Sequence, residues 1–234
     1  MKDNNLLKDK RMLDPNAVET WIFDLDNTLY PAGSNIFARV SKRITVYVQD
    51  RFSLDEEAAR ALQKDLFRRH GTTLRGLMVE HGVDGEEYLH FVHDIDVSDI
   101  DPNHALAEAI GRLPGRKIIY TNGSVPHARR IMGRIGVEHH FEDVFDIVAA
   151  DYVPKPNPDP YDILVSRHGI DPRRAVMVED MARNLEPAAA LGMTTVWLSG
   201  TLDWAKEGAE EAYVHHVTED LTQWLNGLSG ASAD

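Results

Sequence analysis

Short apolar runs separated by longer amphipathic segments constrain the fold of this chain more than any other feature. The runs are Trp21 to Phe23, Lys117 to Tyr120, Asp146 to Ala149, Ala175 to Val178 and Thr194 to Leu198. Their apolar residues follow one another instead of alternating with polar ones, which is typical of strands covered by helices on both faces of a parallel sheet. The order of strand, helix and strand therefore predicts an α/β fold, a doubly wound parallel sheet with a Rossmann-like core.

The segment between the first and second runs has no strand-like sequence. Apolar residues recur there every four residues, beginning at Ile36 and ending at Val48, as on one face of a helix. Further helical patterns follow over residues 54–70, 74–81 and 86–93. A helical insertion at this point lies above the carboxyl ends of the strands, where parallel sheets bind ligands. The sequence therefore predicts a helical cap inserted after the first strand.

These patterns divide the chain into a core, a cap and a tail. The predicted bounds are 17–32 and 100–200 for the core, 33–99 for the cap, and 201–234 for a C-terminal segment that packs on the core and frays at its end. Trp204 and Trp224 are the tail residues that we expect to contact the core. Met1 to Asn16 are polar and of mixed charge, and we expect a loose leader there.

Composition restricts the partners and the compartment. The formal net charge of −13 disfavours nucleic acid, because non-specific binding to a phosphate backbone depends on cationic side chains. The chain has no cysteine, which excludes thiolate metal sites and cysteine nucleophiles and is consistent with a reducing compartment. No segment has the pattern of a membrane span or a secretory signal. We expect a soluble cytoplasmic protein, a monomer or homodimer, that acts on a small molecule.

Two aspartates stand directly after the first run. Asp24 and Asp26 leave the carboxyl end of a buried strand together, and like charges this close repel unless a cation lies between them. A hard divalent ion with oxygen ligands, such as Mg²⁺, resolves the repulsion and also neutralises a bound phosphate. A loop capped by two aspartates is the alternative interpretation of this pattern.

The second run ends in a group of small polar residues before a helix. Thr121 and Asn122 offer a hydroxyl and an amide, and the backbone N–H groups that follow at Gly123 and Ser124 can bind a phosphate. Ser124 can at the same time cap the helix that begins at Val125. Both interpretations can hold together.

Charged residues follow two later runs. Lys155 lies between two prolines, which limit the directions that its ammonium group can take. Glu179 and Asp180 follow the fourth run and add carboxylates at the same sheet edge. Taken singly, the lysine suits a rigid surface loop and the acidic pair suits a solvated turn. Together with Asp24 and Asp26, they predict a metal-assisted phosphate site.

This combination resembles the haloacid dehalogenase superfamily of phosphohydrolases. Its pattern is an Asp-x-Asp-x-Thr, a Thr or Ser after the second strand, a Lys and a late acidic pair, and all of these occur in order between Glu19 and Ser199. The insertion resembles the helical cap of the subclass that contains small-molecule phosphatases. Stretches that resemble the microbial pyrimidine 5′-nucleotidases are Phe23 to Pro31, His70 to Leu77 and Tyr120 to Gly123.

The resemblance implies a role for each motif residue. Asp24 would attack phosphorus and form a transient aspartyl-phosphate, and Asp26 would protonate the leaving alcohol and then activate water. Thr121, Asn122 and Lys155 would bind the phosphate, with Lys155 also neutralising the nucleophile. Because Asp26 has to be protonated when the leaving group departs, we expect its pKa to differ from that of Asp24.

The same resemblance implies a Mg²⁺ cofactor. Asp24, the backbone carbonyl of Asp26 and Asp180 would hold the ion, and Glu179 would lie behind them as a supporting residue. Discrimination between substrates has to come from the cap, since the core recognises only phosphate and metal. The cap residues that we expect to bind the nucleoside are His70, Thr72 and Arg75. A simple turn between two helices is the alternative interpretation of that segment.

The expected reaction is hydrolysis of a pyrimidine nucleoside monophosphate, UMP or CMP, to nucleoside and phosphate. A phosphatase for another small phosphate ester, such as a sugar phosphate or phosphoglycolate, is the alternative. A phosphomutase would need a second phosphate site in the cap, and dehalogenation would need neither Asp26 nor the acidic pair. A noncatalytic binding module would be favoured by the loss of a motif residue, and none is missing.

Overall fold

The structure, a computed structural model, describes residues 13–201 and 203–230 of the chain. It contains one sheet whose strands are β1 (Thr20–Phe23), β2 (Arg116–Tyr120), β3 (Asp143–Phe145), β4 (Ala175–Glu179), β5 (Thr194–Leu198) and β6 (His216–Thr218). The strands are all parallel and lie in the order β3-β2-β1-β4-β5-β6. This topology confirms the predicted doubly wound α/β fold.

Helices cover the sheet and fill the insertion. Those of the described residues are α1 (Ile36–Phe52), α2 (Glu56–His70), α3 (Thr73–His81), α4 (Gly85–Val92), α5 (His104–Arg112), α6 (Val125–Ile135), α7 (Asp159–His168), α8 (Glu186–Ala190) and α9 (Leu221–Gly230). Because α1 to α4 all stand between β1 and β2, the predicted helical insertion after the first strand is confirmed. The residue bounds of the core, the cap and the tail stay predictions.

The sheet is buried on both faces. Trp21 and Phe23 of β1 pack in one apolar layer, whereas Ile22 between them packs in the other. Every residue of β1 and of β4 is buried, which explains the uninterrupted apolar runs. The insertion has an apolar cluster of its own, made of residues from Tyr47 to Val92 and joined from the core by Ile147.

The third strand lies earlier than the sequence pattern predicts. The prediction of a strand over Asp146 to Ala149 is wrong, because β3 ends at Phe145 and a turn follows. The Asp146 carboxylate accepts the backbone N–H groups of Val125 and Ala149, each at 2.9 Å, and so holds the turn. The apolar residues that follow Asp146 therefore belong to a loop, and one of them, Val148, is 44% exposed.

The tail contributes to the core layer. Within α9, Trp224 meets Trp21 edge-on, with ring centroids 6.4 Å apart. The side chain of Trp204 and residues 231–234 lie outside the described residues. We expected fraying from Gly227 onward, but residues 227–230 form the end of α9. At the other end, most of the expected leader lies outside the described residues, but Pro15–Ala17 form a 3-10 turn capped by Asp14. No helix of the described ranges combines the length and the apolar character needed to cross a membrane.

Candidate active site

The strand register brings the polar motifs to one edge of the sheet. Phe23 pairs with Ile119 of β2 on one side and with Val178 of β4 on the other. The next residue along β1 is Asp24, and the next along β4 is Glu179. These two carboxylates therefore lie level at the carboxyl edge of adjacent strands, as the sequence predicts.

Lys155 lies at the centre of a buried charge cluster at this edge. Its Nζ is 2.7 Å from Asp24 Oδ1, 2.9 Å from Glu179 Oε1 and 2.9 Å from the Tyr120 carbonyl oxygen. Its backbone N–H donates to Asn122 Oδ1 at 3.0 Å, which fixes the loop. Burial alone would lower the pKa of the ammonium group, but Asp24 and Glu179 raise it above its ordinary value. Lys155 is therefore a permanent positive charge beside Asp24.

Three carboxylates crowd around this single cation. Asp24, Glu179 and Asp180 each offer an oxygen atom, and these atoms lie within 4.8 Å of one another. Burial, with help from the neighbouring carboxylates, raises the pKa of Asp24 to about 7 and that of Asp180 to about 10. Asp24 Oδ2 is buried and makes no hydrogen bond within the described part of the chain. Carboxylates whose ionisation is opposed by burial and by one another, together with an oxygen that has no partner, fit a hard divalent cation such as Mg²⁺.

Glu179 differs from the other two carboxylates because its oxygens already have partners. Oε1 accepts from Lys155 and, at 2.5 Å, from Asn184 Nδ2, while Oε2 accepts the Met181 N–H at 3.1 Å. Burial would raise the pKa of Glu179, but Lys155 and hydrogen bonds with Asp180 and the Met181 N–H lower it. Asp24 and Asp180 are left as the carboxylates with bonding capacity for a cation, and Glu179 suits a supporting position.

Asp26 has a separate environment. Its Oδ1 accepts a hydrogen bond from the Tyr30 hydroxyl and lies 3.5 Å from His127 Nε2. Burial opposes ionisation of Asp26, but His127 and Tyr30 outweigh it and hold the pKa at about 2. The two aspartates of the motif thus differ in pKa, with Asp24 the weaker acid in this structure.

The residues predicted to bind phosphate line the end of β2. Thr121 is fully buried, and its Oγ1 accepts the Gly123 N–H at 2.9 Å, so its own hydroxyl hydrogen can still be donated. The Oδ1 atom of Asn122 accepts from the backbone of Lys155, which leaves Nδ2 as a donor. A Cβ atom at Gly123 would stand 3.3 Å from Thr121 Oγ1 and 3.8 Å from Asp26 Oδ2. The glycine therefore keeps space beside both groups.

Ser124 does not serve α6 in the way that the sequence predicts. It occupies the N-cap position, but its side chain makes no capping hydrogen bond. Asp146 accepts the Val125 N–H instead, and Ser124 Oγ is hydrogen-bonded to His93 Nδ1 at 2.8 Å. The serine thus connects α6 with the insertion, because a carboxylate from the next loop has taken over the cap.

The three cap residues expected to bind the nucleoside lie at the turn between α2 and α3. His70 Nε2 is 2.5 Å from Glu80 Oε1, and Thr72 Oγ1 accepts the Arg75 N–H at 3.1 Å, which caps α3. The turn contacts the lysine loop, since a Cβ atom at Gly71 would stand 3.8 Å from the Lys155 carbonyl oxygen. The guanidinium of Arg75 is half-buried and makes no hydrogen bond or ion pair with the described residues. Of the three, Arg75 is the residue whose side chain has no polar partner among the described residues.

A cleft leads to this edge from the β5 side. Its volume is about 640 Å³, and its walls include Thr28, Tyr30, Asp180, Leu198 and Thr222. Of the three clustered carboxylates, Asp180 is the one that borders this cleft.

Sequence reasoning did not identify three further residues of the site, namely Tyr30, His93 and His127. Tyr30 could have been found from its place four residues after Asp26 in the same loop. His127 occupies the first turn of α6, the helix that follows the second motif, and that turn faces the sheet edge. His93 comes from the end of the insertion and has no sequence signal that connects it with the motifs.

The fold and the polar sheet edge together indicate the family. A family model described as a haloacid dehalogenase-like hydrolase matches residues 18–192. The chain belongs to this family. The resemblance seen in the sequence is thereby confirmed at the level of the superfamily, and the pyrimidine 5′-nucleotidase branch stays a prediction.

Individual relatives of this hydrolase are distant. Phosphate metabolism protein 8 of Saccharomyces cerevisiae is 22% identical over 200 residues, which cover 78% of this chain and 62% of the yeast protein. Pyrophosphatase PpaX of Bacillus pumilus is 26% identical over 229 residues, which cover 95% of this chain and 100% of that protein. The chain therefore spans about 62% of the yeast relative's length but the whole length of the Bacillus one.

Solved structures share the fold at low identity. A variant of CbbY from Rhodobacter sphaeroides, in complex with xylulose-1,5-bisphosphate, superposes with a TM-score of 0.61 and 16% identity. The match covers 88% of this chain and 96% of that one. At this identity the likeness supports the fold alone.

Proposed function

We propose that this hydrolase is a Mg²⁺-dependent phosphomonoesterase that acts through an aspartyl-phosphate formed on Asp24. The observation that carries the proposal is the buried contact between Lys155 Nζ and Asp24 Oδ1 at 2.7 Å, beside an Asp24 Oδ2 that has no partner in the described residues. A carboxylate held by a fixed cation, with one oxygen uncommitted, has the properties of a nucleophile for phosphoryl transfer.

The residues at the sheet edge account for both halves of the reaction. An Asp24 oxygen forms a bond to phosphorus as the ester P–O bond breaks, and the leaving alcohol takes a proton from Asp26. Asp26 then accepts a proton from water as the water oxygen attacks the same phosphorus, which releases phosphate and regenerates Asp24. Thr121 and Asn122 donate to the phosphate oxygens through the groups that the fold leaves unused.

The cofactor belongs at the other carboxylates. Asp24 and Asp180, with the backbone carbonyl of Asp26, would hold Mg²⁺, and the ion supplies positive charge to the phosphate. Lys155 neutralises Asp24 through its contact with Oδ1 and stays charged throughout. Glu179 keeps the lysine in place through its contact of 2.9 Å.

The proton on Asp26 requires an explanation, because a pKa of about 2 makes this group a carboxylate at neutral pH. A phosphate ester brought beside Asp26 adds negative charge, which disfavours the carboxylate and raises its pKa. We infer that Asp26 takes up its proton when substrate binds, so the acid is formed in the complex.

We propose pyrimidine nucleoside monophosphates as the substrates. Support comes from the three stretches that resemble the nucleotidases and from Arg75, whose guanidinium has no partner in the described residues and whose turn contacts the lysine loop. The alternative is another small phosphate ester. A small phosphate compound other than a nucleotide is supported by the name of the Bacillus relative, a pyrophosphatase.

A substrate panel tests this function. Phosphate release would be measured with Mg²⁺ on UMP, CMP, AMP, GMP, pyrophosphate, phosphoglycolate and a sugar phosphate. We expect UMP and CMP to have the highest kcat/KM. A preference for a sugar phosphate, phosphoglycolate or pyrophosphate would reject the nucleotidase assignment and keep the phosphatase, whereas no release from any ester would reject the phosphatase as well.

A further inference from the structure

His127 is the most enclosed titratable side chain of the site that the proposed mechanism does not use. The residue is 1% exposed, and neither ring nitrogen makes a hydrogen bond of good geometry with a described residue. Its nearest charged neighbour is Asp26, whose Oδ1 lies 3.5 Å from Nε2. An imidazole buried without partners costs about 1–3 kcal/mol, so the weak contact with Asp26 is its one available compensation.

The insertion holds the His127 ring in place. His93 stacks on it with ring centroids 4.3 Å apart and an interplanar angle of 15°. His93 is itself fixed, because its Nδ1 is hydrogen-bonded to Ser124 at 2.8 Å and its backbone carbonyl accepts from Arg130. Burial and, after it, the neighbouring His127 lower the pKa of His93 to about 3. The His93 ring is therefore neutral at pH 7 and packs face to face with the ring of His127.

Among the described residues, the polar contacts of the Asp26 carboxylate are made by one oxygen. Tyr30 donates to Oδ1, and His127 approaches the same atom. The other oxygen, Oδ2, lies 3.8 Å from the position of a Cβ atom at Gly123 and faces the space that this glycine keeps beside Thr121. A carboxylate held in this way has its second oxygen directed toward the phosphate-binding residues.

We propose that His127 is a positioning residue for Asp26. It holds Oδ1 so that Oδ2 meets the leaving oxygen of the ester, and His93 provides the support from the insertion. The proposal rests on the function above, in which Asp26 is the leaving-group acid. A misplaced acid would leave substrate binding and the attack by Asp24 intact and would slow departure of the alcohol.

The test compares leaving groups. In His127→Phe the ring shape and the stack with His93 are kept, and both nitrogens are removed. An alkyl phosphate needs a proton on its leaving oxygen, whereas p-nitrophenolate departs without one. We expect kcat/KM to fall at least about 100-fold for the best alkyl ester of the panel, with KM nearly unchanged, and less than about threefold for p-nitrophenyl phosphate. For p-nitrophenyl phosphate, kcat and KM should fall together, because hydrolysis of the aspartyl-phosphate becomes rate-limiting.

The second half of the reaction gives an independent readout. With p-nitrophenyl phosphate, His127→Phe should release a burst of p-nitrophenol and then turn over slowly, because Asp26 also has to activate water. His104→Phe, a change at an exposed histidine at the start of α5, is the matched control and should behave as the wild type. His127→Gln, which keeps an N–H donor, should recover part of the loss for the alkyl ester.

Three results would overturn the proposal: equal losses of kcat/KM for both esters, no loss for either, or a selective loss with His104→Phe. If His127→Phe does not fold, Tyr30→Phe removes the other contact with Oδ1 by deleting one hydroxyl, and the same selective loss is required of it. A wild-type enzyme that hydrolyses no ester in the panel would reject the proposed function itself, and this outcome is visible before any variant is made.

Discussion

The sheet edge and the helical insertion differ in how far their polar side chains satisfy one another. At the edge, Asp24 Oδ2 has no hydrogen-bond partner among the described residues, next to a buried lysine and in a cluster of three carboxylates. In the insertion, His70 is paired with Glu80 and Thr72 caps α3, so these groups complete the local structure. A polar group without a partner is therefore a better indicator of a ligand site than polarity alone. By this criterion, Arg75 is the candidate ligand-binding residue of the insertion.

The largest effect should come from the nucleophile. Asp24→Asn keeps the size of the side chain, but an amide cannot form the acyl-phosphate, so we expect kcat to fall by at least about 10³-fold. Phosphate release under saturating substrate and Mg²⁺ measures it. Lys155 retains its contact with Glu179 at 2.9 Å, so the variant should still fold with the circular dichroism spectrum of the wild type. A folded variant with near wild-type turnover would remove Asp24 from the mechanism and with it the basis of the comparison.

The metal should show the next largest effect. Chelation should stop turnover and added Mg²⁺ should restore it, and Asp180→Asn should raise the Mg²⁺ concentration for half-maximal activity at least about 10-fold. Without Mg²⁺, the thermal midpoint of this variant should not fall at neutral pH, because a pKa of about 10 keeps Asp180 uncharged in the metal-free protein and the amide replaces a neutral acid. Asp101→Asn, at an exposed carboxylate, is the control. Turnover that survives chelation would contradict the assignment of these carboxylates to a cation.

The sheet edge could be predicted from sequence because its geometry follows from one rule. Parallel strands end at the same edge, so polar residues that directly follow apolar runs must meet there. Asp24 and Glu179 follow this rule. The third apolar run did not correspond to a strand, because a run of apolar residues can also form a loop that packs against a neighbouring element. The contacts of His127 with Asp26 and His93 were out of reach, because they join segments far apart in the chain and no periodic pattern records them.

The insertion should respond more weakly and only with the full substrate. If Arg75 binds the nucleoside part of the substrate, Arg75→Ala should raise KM for UMP about 10-fold, the loss of a charged hydrogen bond, and change KM for p-nitrophenyl phosphate less than about twofold. Arg68→Ala on α2 is the matched control, because that side chain is 75% exposed. Equal changes in KM for both substrates would place Arg75 at the phosphate. An unchanged KM for both would show that Arg75 does not bind the nucleoside.

The smallest effect concerns how the insertion rests on the core, and it should change stability with little effect on the chemistry. Gly85 begins α4, and a Cβ atom there would stand 2.4 Å from Cε1 of Tyr152, a residue of the loop after β3. Gly85→Ala should therefore cost about 1–3 kcal/mol, since the tyrosine ring has to move, and lower the thermal midpoint by about 2–4 °C for each kcal/mol. In the background of Tyr152→Ala the same substitution should cost much less, and the difference between the two costs measures the contact.

Gly227→Ala in α9, where a Cβ atom would meet no atom within 4 Å, should not lower the midpoint. An equal cost of Gly85→Ala in both backgrounds would show that α4 does not rest on Tyr152 in solution, and the insertion would then have to be treated as detached from the sheet edge at that point.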